Sequence, residues 1–463
     1  MSLIEREDDA PAAGEAAIGG SPAGTVSTTD TLSSMSSVDL SGSSGGAAAS
    51  VQPYGCFRDR RMWNVVVMGV AFMLIFTGYN GVQNLLTSVL HDLGYWSLAT
   101  VYSGFALTSL VAPYAATRIG LRKMMAFGAT GYFLFCLCCV FQTAASVMIG
   151  STLLGVAAAV LWTAQGAMLV LNSDPDTMSA NSGLFFGLFL SSYVVGFATQ
   201  GVLFALDFSV TTVFIIMTVI CGSGGAFLIT GMVPTPRRVG VDSRLERRPL
   251  GAMVREVLQL LTVKRMALAL PIMIYQGSFL SFIIGTLPPV IHDKETIGFA
   301  MATFGVFQGL GSFVSGRLSN RLGRRAIMVS VYALELLALF LCFFVGPERK
   351  GLFYVVLSMA GWADAALHAL IYAIIETYFT DRVTRAMAAL QFTRALAVAI
   401  FSISSKFLDL TAILVLLIIF LNAAVISLQY AHSRVQSIEA KKDDDAVVDD
   451  VQLKSLAHGD DRL

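Results

Sequence analysis

The chain has 463 residues, of which 55% are hydrophobic and 13% are charged, and its mean hydropathy is +0.70. A soluble domain carries roughly twice that share of charged residues, so the composition argues against a soluble protein, and the formal net charge of zero argues against nucleic acid as a partner. At about 20 residues per span, the length predicts an all-α membrane protein with about twelve transmembrane helices in the lipid bilayer.

The first stretch, 1–57, is rich in Ser, Gly and Ala and has no apolar core near its start. We expect a disordered cytoplasmic tail there and no signal peptide. Six apolar runs over 58–233 form the first predicted half, and a polar, basic linker covers 234–265. Apolar residues recur at helical spacing within this linker, which predicts an amphipathic helix on the inner leaflet. Six further runs over 266–432 form the second half, and an acidic tail, 433–463, ends the chain.

Two short basic segments join apolar runs at matching places in the two halves. The first contains Arg118, Gly120, Arg122 and Lys123, and the second contains Gly316, Asn320, Arg321, Gly323, Arg324 and Arg325. Arginine is costly inside hydrocarbon, so both segments are predicted to be water-side turns. By the positive-inside rule they face the cytoplasm together with both chain termini. Their shared Arg-x-Gly core predicts two similar six-helix halves and a pair of cytoplasmic gate loops.

Ionisable residues inside predicted spans mark a candidate buried coupling site in the second half: Glu335, Asp364, His368 and Arg394. Such residues are costly in a membrane unless they are paired or hydrated. Asp364 and His368 are four residues apart and share a helix face, and Arg394 is the expected neutralising partner of Asp364 or Glu335. The group is either a proton relay or charged-solute site, or a structural ion pair that locks the helices together.

Neutral polar residues form a second candidate set: Asn80, Gln83, Trp162, Gln165, Gln200 and Gln276. They either hydrogen-bond between helices or line a cavity near the middle of the membrane. The sequence contains no metal-ligand cluster, no phosphate-binding loop and no nucleophile with a matching base. We therefore expect neither an enzyme nor a cofactor.

Several stretches carry a closer resemblance: Gly94–Tyr102 (GYWSLATVY), Trp162–Gly166 (WTAQG), Asn181–Phe189 (NSGLFFGLF) and Gly361–Tyr372 (GWADAALHALIY). They resemble the uncoordinated-ninety-three family of ion channel regulatory proteins, a branch of the major facilitator superfamily. Two six-span halves with a long inner linker are also the layout of that superfamily. The chain departs from its relatives at His368, where an Asn-Thr-Gln sequence usually begins.

Two functions follow as hypotheses. The resemblance implies a multi-pass protein that regulates ion channels, including potassium channels, or escorts other membrane proteins. The alternative is a proton-coupled secondary transporter of an unidentified small solute, working through Asp364 and His368. A transporter should enclose a water-filled pocket reached by Asp364 and Arg394, whereas a regulator could fill that space with side chains and present an apolar groove instead.

Overall fold

The computed structural model describes residues 60–174, 177–233, 249–291, 293–379 and 383–430, with the backbone alone at 315–327. The predicted tails and the linker residues 234–248 lie outside this part of the chain. Within it the secondary structure is helical: α1 (Arg60–Leu90), α2 (Asp92–Ser109), α3 (Ala112–Ile119), α4 (Leu121–Val140), α5 (Ala144–Leu171), α6 (Met178–Ala205), α7 (Val210–Gly231), α8 (Leu250–Thr262), α9 (Lys264–Ser281), α10 (Lys294–Cys342), α11 (Lys350–Tyr378), α12 (Val383–Phe407) and α13 (Leu410–Tyr430).

Ten helical segments in the described part of the chain are long and apolar enough to cross a bilayer. The predicted count of twelve also includes two segments outside that set. One is the predicted second span, which the structure divides into α2 and α3, with a proline in the first turn of α3. The other is the shorter apolar stretch Met328–Cys342 within α10. The architecture is therefore an all-α, multi-pass membrane protein.

The predicted turn at Gly316–Arg325 has helical backbone and belongs to the 49-residue helix α10. A straight helix of that length would be about 73 Å long. Lys350 nevertheless pairs with Asp293, although the chain from Cys342 to Lys350 spans at most about 29 Å. Helix α10 therefore doubles back on itself, so the reversal occurs within helical backbone and not in an irregular turn. Six predicted gate residues lie outside the described side chains: Gly316, Asn320, Arg321, Gly323, Arg324 and Arg325.

The first basic segment is a break between α3 and α4. Gly120 has a φ of 89°, a backbone conformation that favours glycine, and it lets the chain change direction there. Arg118, Arg122 and Lys123 are exposed, and the guanidinium of Arg118 lies 5.5 Å from the ring centroid of Tyr114. The segment thus keeps its charges outside the helix bundle.

The same close helix contact occurs in two parts of the bundle. A Cβ atom at Gly155 in α5 would overlap the carbonyl oxygen of Val101 in α2, and one at Gly361 in α11 would overlap that of Phe304 in α10. Val101 and Phe304 are 203 residues apart, and Gly155 and Gly361 are 206 apart. The buried apolar side chains also form two clusters, one drawn from α1–α7 and one drawn mainly from α8–α13.

Helices α6 and α10 pack closely around Gly298. A Cβ atom at Gly298 would lie 2.6 Å from the Cα of Gly201, and one at Gly305 would also touch α6. Gly309 continues the same face of α10, and Gly187 continues that of α6. A Cβ atom at either of these positions would meet nothing within 4 Å. The close contact therefore does not extend to these two glycines.

Helix α8 occupies the linker region for which an amphipathic helix on the inner leaflet is predicted. Met253, Val257 and Leu260 are buried, and Arg385 Nε lies 3.2 Å from Glu256 Oε2. These contacts tie α8 to the bundle. Part of the apolar stripe therefore faces protein and not the leaflet, because the start of α12 supplies a partner.

Candidate functional site

Two glutamine residues hold the ionisable pair on α11. Gln308 Nε2 donates to Asp364 Oδ2 at 2.7 Å, and the amide nitrogen of Gln276 lies 2.9 Å from His368 Nδ1. Asp364 and His368, which share a helix face, do not pair directly with each other in this geometry. Asp364 is instead paired with Gln308 of α10, and His368 is paired with Gln276 of α9. These hydrogen bonds satisfy polar groups that would be costly if left unpaired.

Arg394 lies among these residues but does not pair with them. A Cβ atom at Gly277 in α9 would overlap the carbonyl oxygen of Arg394, so Arg394 of α12 lies next to the part of α9 whose Gln276 contacts His368. Arg394 is half-buried, and its guanidinium is farther from the Asp364 carboxylate than the 4.0 Å of an ion pair. The expected Asp364–Arg394 ion pair is therefore not formed, which leaves two opposite charges separated within the bundle.

Four side chains on different helices keep accessible surface: Tyr102, Tyr193, His368 and Arg394. Their polar ends are not among the sealed and unpartnered atoms of the described residues. Tyr193 of α6 also packs against the apolar clusters of both parts of the bundle.

Three residues at this site were missed from the sequence: Tyr102, Tyr193 and Gln308. Tyrosines inside apolar runs look like packing residues, and Gln308 lies in an apolar stretch of α10 with no nearby charge. Tyr102 ends one of the stretches that carry the family resemblance, which was the one available signal. Tyr193 and Gln308 gave none, because their roles depend on which helices become neighbours.

The predicted cavity residue Trp162 packs among aromatic rings. Its ring lies 5.4 Å from that of Phe76, 5.1 Å from that of Phe189 and 5.7 Å from that of Phe72, mostly edge to face. Edge-to-face pairs of this kind each contribute about 0.5–1.5 kcal/mol beyond area burial. The first part of the bundle therefore has an aromatic core at this position.

The other predicted cavity residues carry sealed polar atoms that have no hydrogen-bond partner among the described residues: Asn80 Nδ2, both amide atoms of Gln83, Gln165 Nε2, Gln200 Nε2 and Gln276 Oε1. The oxygen of Gln200 accepts from Asn84 at 3.2 Å. These atoms are closed off from water in this conformation, so the role of this set in lining a cavity stays a prediction.

Glu335 lies beside Tyr275 in the second part of the bundle. It is fully buried, and neither carboxyl oxygen has a hydrogen-bond partner among the described residues. Glu335 and Tyr275 both line a small cavity of about 10 Å³, which is about the least space that takes one water molecule. The expected pairing of Arg394 with Glu335 is therefore not found.

An apolar groove runs along the outer side of α8. Its volume is about 580 Å³, and its lining includes Leu250, Val254, Arg255 and Leu258. Leu250 and Leu258 are 37% and 42% exposed. The described surface of α8 therefore provides the apolar groove that the regulator hypothesis calls for.

The comparison with protein families decides the classification. The family described as "Ion channel regulatory protein UNC-93" matches residues 86–428. The chain belongs to the UNC-93 family. The matched range includes Asp364, His368 and Arg394, so these three ionisable residues lie in the part of the chain that resembles the family.

Three curated relatives show how far the likeness extends. The UNC93-like protein MFSD11 of Xenopus laevis is 26% identical over 418 residues, which cover 78% of this chain and 94% of the relative. UNC93-like protein 3 of Arabidopsis thaliana is 26% identical, covering 77% and 83%. The putative potassium channel regulatory protein unc-93 of Caenorhabditis elegans is 24% identical, covering 65% of this chain and 51% of that protein.

Two solved transporter structures share the fold. The nucleoside transporter NupG has a TM-score of 0.60 at 13% identity, covering 81% of this chain and 99% of that one. The peptide transporter POT in complex with sulfate has a TM-score of 0.59 at 12% identity, covering 81% and 94%. The UNC-93 chain therefore has the fold of the major facilitator transporters, and likeness at this identity extends to the fold alone.

Proposed function

We propose that this protein is a regulatory or trafficking partner of another membrane protein, with a potassium channel as the first candidate. Its membership of the UNC-93 family over residues 86–428 carries this proposal, and the Caenorhabditis relative is named as a potassium channel regulator. The exposed apolar groove along α8 offers a surface for such a partner. This role requires no catalysis.

Co-expression with a potassium channel tests the proposal. Current and surface-exposed channel are measured with and without the protein, and we expect one or both to change. A double variant, Asp364→Asn with Arg394→Gln, should regulate as the wild type does if partner contact alone matters. Unchanged current and unchanged surface channel across a panel of potassium channels would contradict the proposal.

We further propose twelve spans in two six-helix halves with both termini in the cytoplasm. The matching contacts at Gly155 and Gly361 support two similar halves, and the doubling back of α10 supplies two spans. Membrane-impermeant maleimide should label Arg118→Cys and Arg349→Cys from opposite sides of sealed vesicles. Labelling of both from one side would contradict this topology.

A second candidate function is proton-coupled transport, and the ionisable residues inside the spans support it. Asp364, His368 and Arg394 lie on membrane-spanning helices without pairing with one another, and ionisable groups in such positions are typical of proton relays and solute pathways. Reconstituted vesicles test this role by solute flux under a pH gradient. We expect flux that Asp364→Asn abolishes, and an absence of flux for every solute in a broad panel would contradict it.

A further inference from the structure

A fully buried carboxyl group lies inside an apolar part of the bundle. Glu335 is the central residue of the apolar stretch Met328–Cys342 of α10, and it has no exposed surface. Neither of its carboxyl oxygens has a hydrogen-bond partner among the described residues, and none of the ion pairs that the structure describes includes Glu335. In such surroundings an unpaired carboxylate costs far more free energy than a neutral carboxyl group does.

The space beside Glu335 is a small cavity between four helices. Its volume is about 10 Å³, and its lining comes from α9, α10, α11 and α13 and includes Ile272, Tyr275, Tyr332, Glu335, Leu367 and Leu421. The hydroxyl group of Tyr275 is sealed and has no hydrogen-bond partner among the described residues, whereas that of Tyr332 donates to Asn422 Oδ1 at 3.0 Å. The lining residues therefore offer three sealed polar atoms without a partner: Glu335 Oε1, Glu335 Oε2 and Tyr275 Oη.

We propose that Glu335 binds a proton, and that its neutral carboxyl group shares one water molecule with the hydroxyl group of Tyr275 in this cavity. A cavity of about 10–15 Å³ is the least that takes a water molecule, which usually has two to four polar partners. The three polar atoms meet that need, and a protonated carboxyl group adds a donor that a carboxylate lacks. The proposal goes beyond partner regulation, and it requires neither a partner nor transport.

The lining favours a proton over a metal cation or a basic side chain as the group that neutralises Glu335. No lysine, arginine or histidine lines the cavity, and its only other titratable lining residues are Tyr275 and Tyr332. Asp364 of α11 and Cys342 of α10 are not among the lining residues. Hard cations such as Ca²⁺ and Mg²⁺ take about six or more oxygen ligands, which is more than this lining supplies. A proton needs only the carboxyl group itself.

Infrared absorption of the purified full-length protein in detergent tests the bound proton. A glutamic acid side chain in water is ionised at about pH 7, so the carbonyl band of a neutral carboxylic acid marks a proton that the fold retains. Glutamate labelled with carbon-13 at its side-chain carboxyl group separates the glutamate bands from the aspartate bands. We expect a neutral-acid band at about pH 7 that this label moves to lower frequency. The measurement uses the wild type alone, and the absence of such a band would overturn the proposal.

Variants then assign the band and the water molecule. Glu335→Gln keeps the size and the neutrality of the protonated side chain, and it should abolish the band that responds to the label. Glu295→Gln is the matched control, because Glu295 is an exposed glutamate on the same helix, and this variant should keep the band. Tyr275→Phe removes only the hydroxyl group, so it should shift the band without abolishing it. The proposal is overturned if Glu335→Gln keeps the band or if Tyr275→Phe leaves its frequency unchanged.

Thermal unfolding distinguishes a proton from a metal cation at the same site. The wild type is compared in sodium, potassium and choline chloride at equal ionic strength, and we expect the same unfolding midpoint in all three. A midpoint that sodium or potassium raises in the wild type but not in Glu335→Gln would mean that a cation occupies the site, which would overturn the proposal. Channel regulation and flux are separate readouts, so their failure leaves this result standing.

Discussion

At the scale of single residues, glycine determines how closely the helices pack. Gly361 lets α11 approach the backbone of α10 so nearly that a Cβ atom would overlap the carbonyl oxygen of Phe304. Backbone cannot move aside as a side chain can, so Gly361→Ala should destabilise the protein by about 1–3 kcal/mol. Gly309→Ala is the control, since a Cβ atom there meets nothing within 4 Å. The measurement is the thermal unfolding midpoint of each variant. Equal midpoints for Gly361→Ala and Gly309→Ala would show that the α10–α11 contact is looser than described.

At the scale of the elements, Asp293 connects the start of α10 to the start of α11. A hydrogen bond from Lys350 and then one from Thr296 lower the pKa of Asp293 below the ordinary value of 3.8 for an aspartic acid side chain. A lowered folded-state pKa stabilises the protein above the unfolded-state pKa, and this stabilisation is lost as pH falls through the folded-state value. Asp293→Asn should therefore reduce stability at neutral pH, and the difference from wild type should shrink below pH 3.8. Glu348→Gln, at an exposed residue, is the control variant. If the stability difference between Asp293→Asn and the wild type did not change with pH, the charge of Asp293 would not be its cause.

Helix α8 allows a second test at this scale, because two adjacent residues face opposite ways. Val257 is 5% exposed and packs on the bundle, whereas Leu258 is 42% exposed and lines the groove. Val257→Asp buries an unpaired charge and should release α8 from the bundle, while Leu258→Asp should leave it attached. Limited proteolysis of the linker measures the release. Equal cleavage of the two variants would mean that α8 is not held by its buried face.

At the scale of the whole molecule, the two parts of the bundle are linked at the end away from the basic segments. Lys406 Nζ lies 3.1 Å from Asp92 Oδ2, and α6 meets α10 at Gly298, on the side away from the basic segments. Membrane-impermeant maleimide should therefore label Gly309→Cys from the side that labels Arg118→Cys. Gly346→Cys, in the connection between α10 and α11, should react from the other side only. If Gly309→Cys were labelled from the side that labels Gly346→Cys, the space beside Gly309 would open to that side instead.

Much of the architecture follows from local chemistry. Apolar side chains enter lipid and arginine is excluded from it, and both effects depend only on the chemistry of the side chain and its position in the sequence. For this reason the apolar runs, the basic segments and the linker helix were readable from the sequence. The helical backbone at Gly316–Arg325 was not readable in this way, because glycine and arginine at a water-side position are compatible with a turn as well as with a helix.

The sequence by itself therefore determined that this protein is a multi-pass helical membrane protein with ionisable groups inside its spans. Only the tertiary structure decided which of those groups meet. Asp364 and Gln308 are 56 positions apart, and His368 and Gln276 are 92 apart, so their pairing depends on how whole helices rotate and tilt against one another. The same rotations keep Arg394 from pairing with Asp364, and no spacing along the chain encodes that separation.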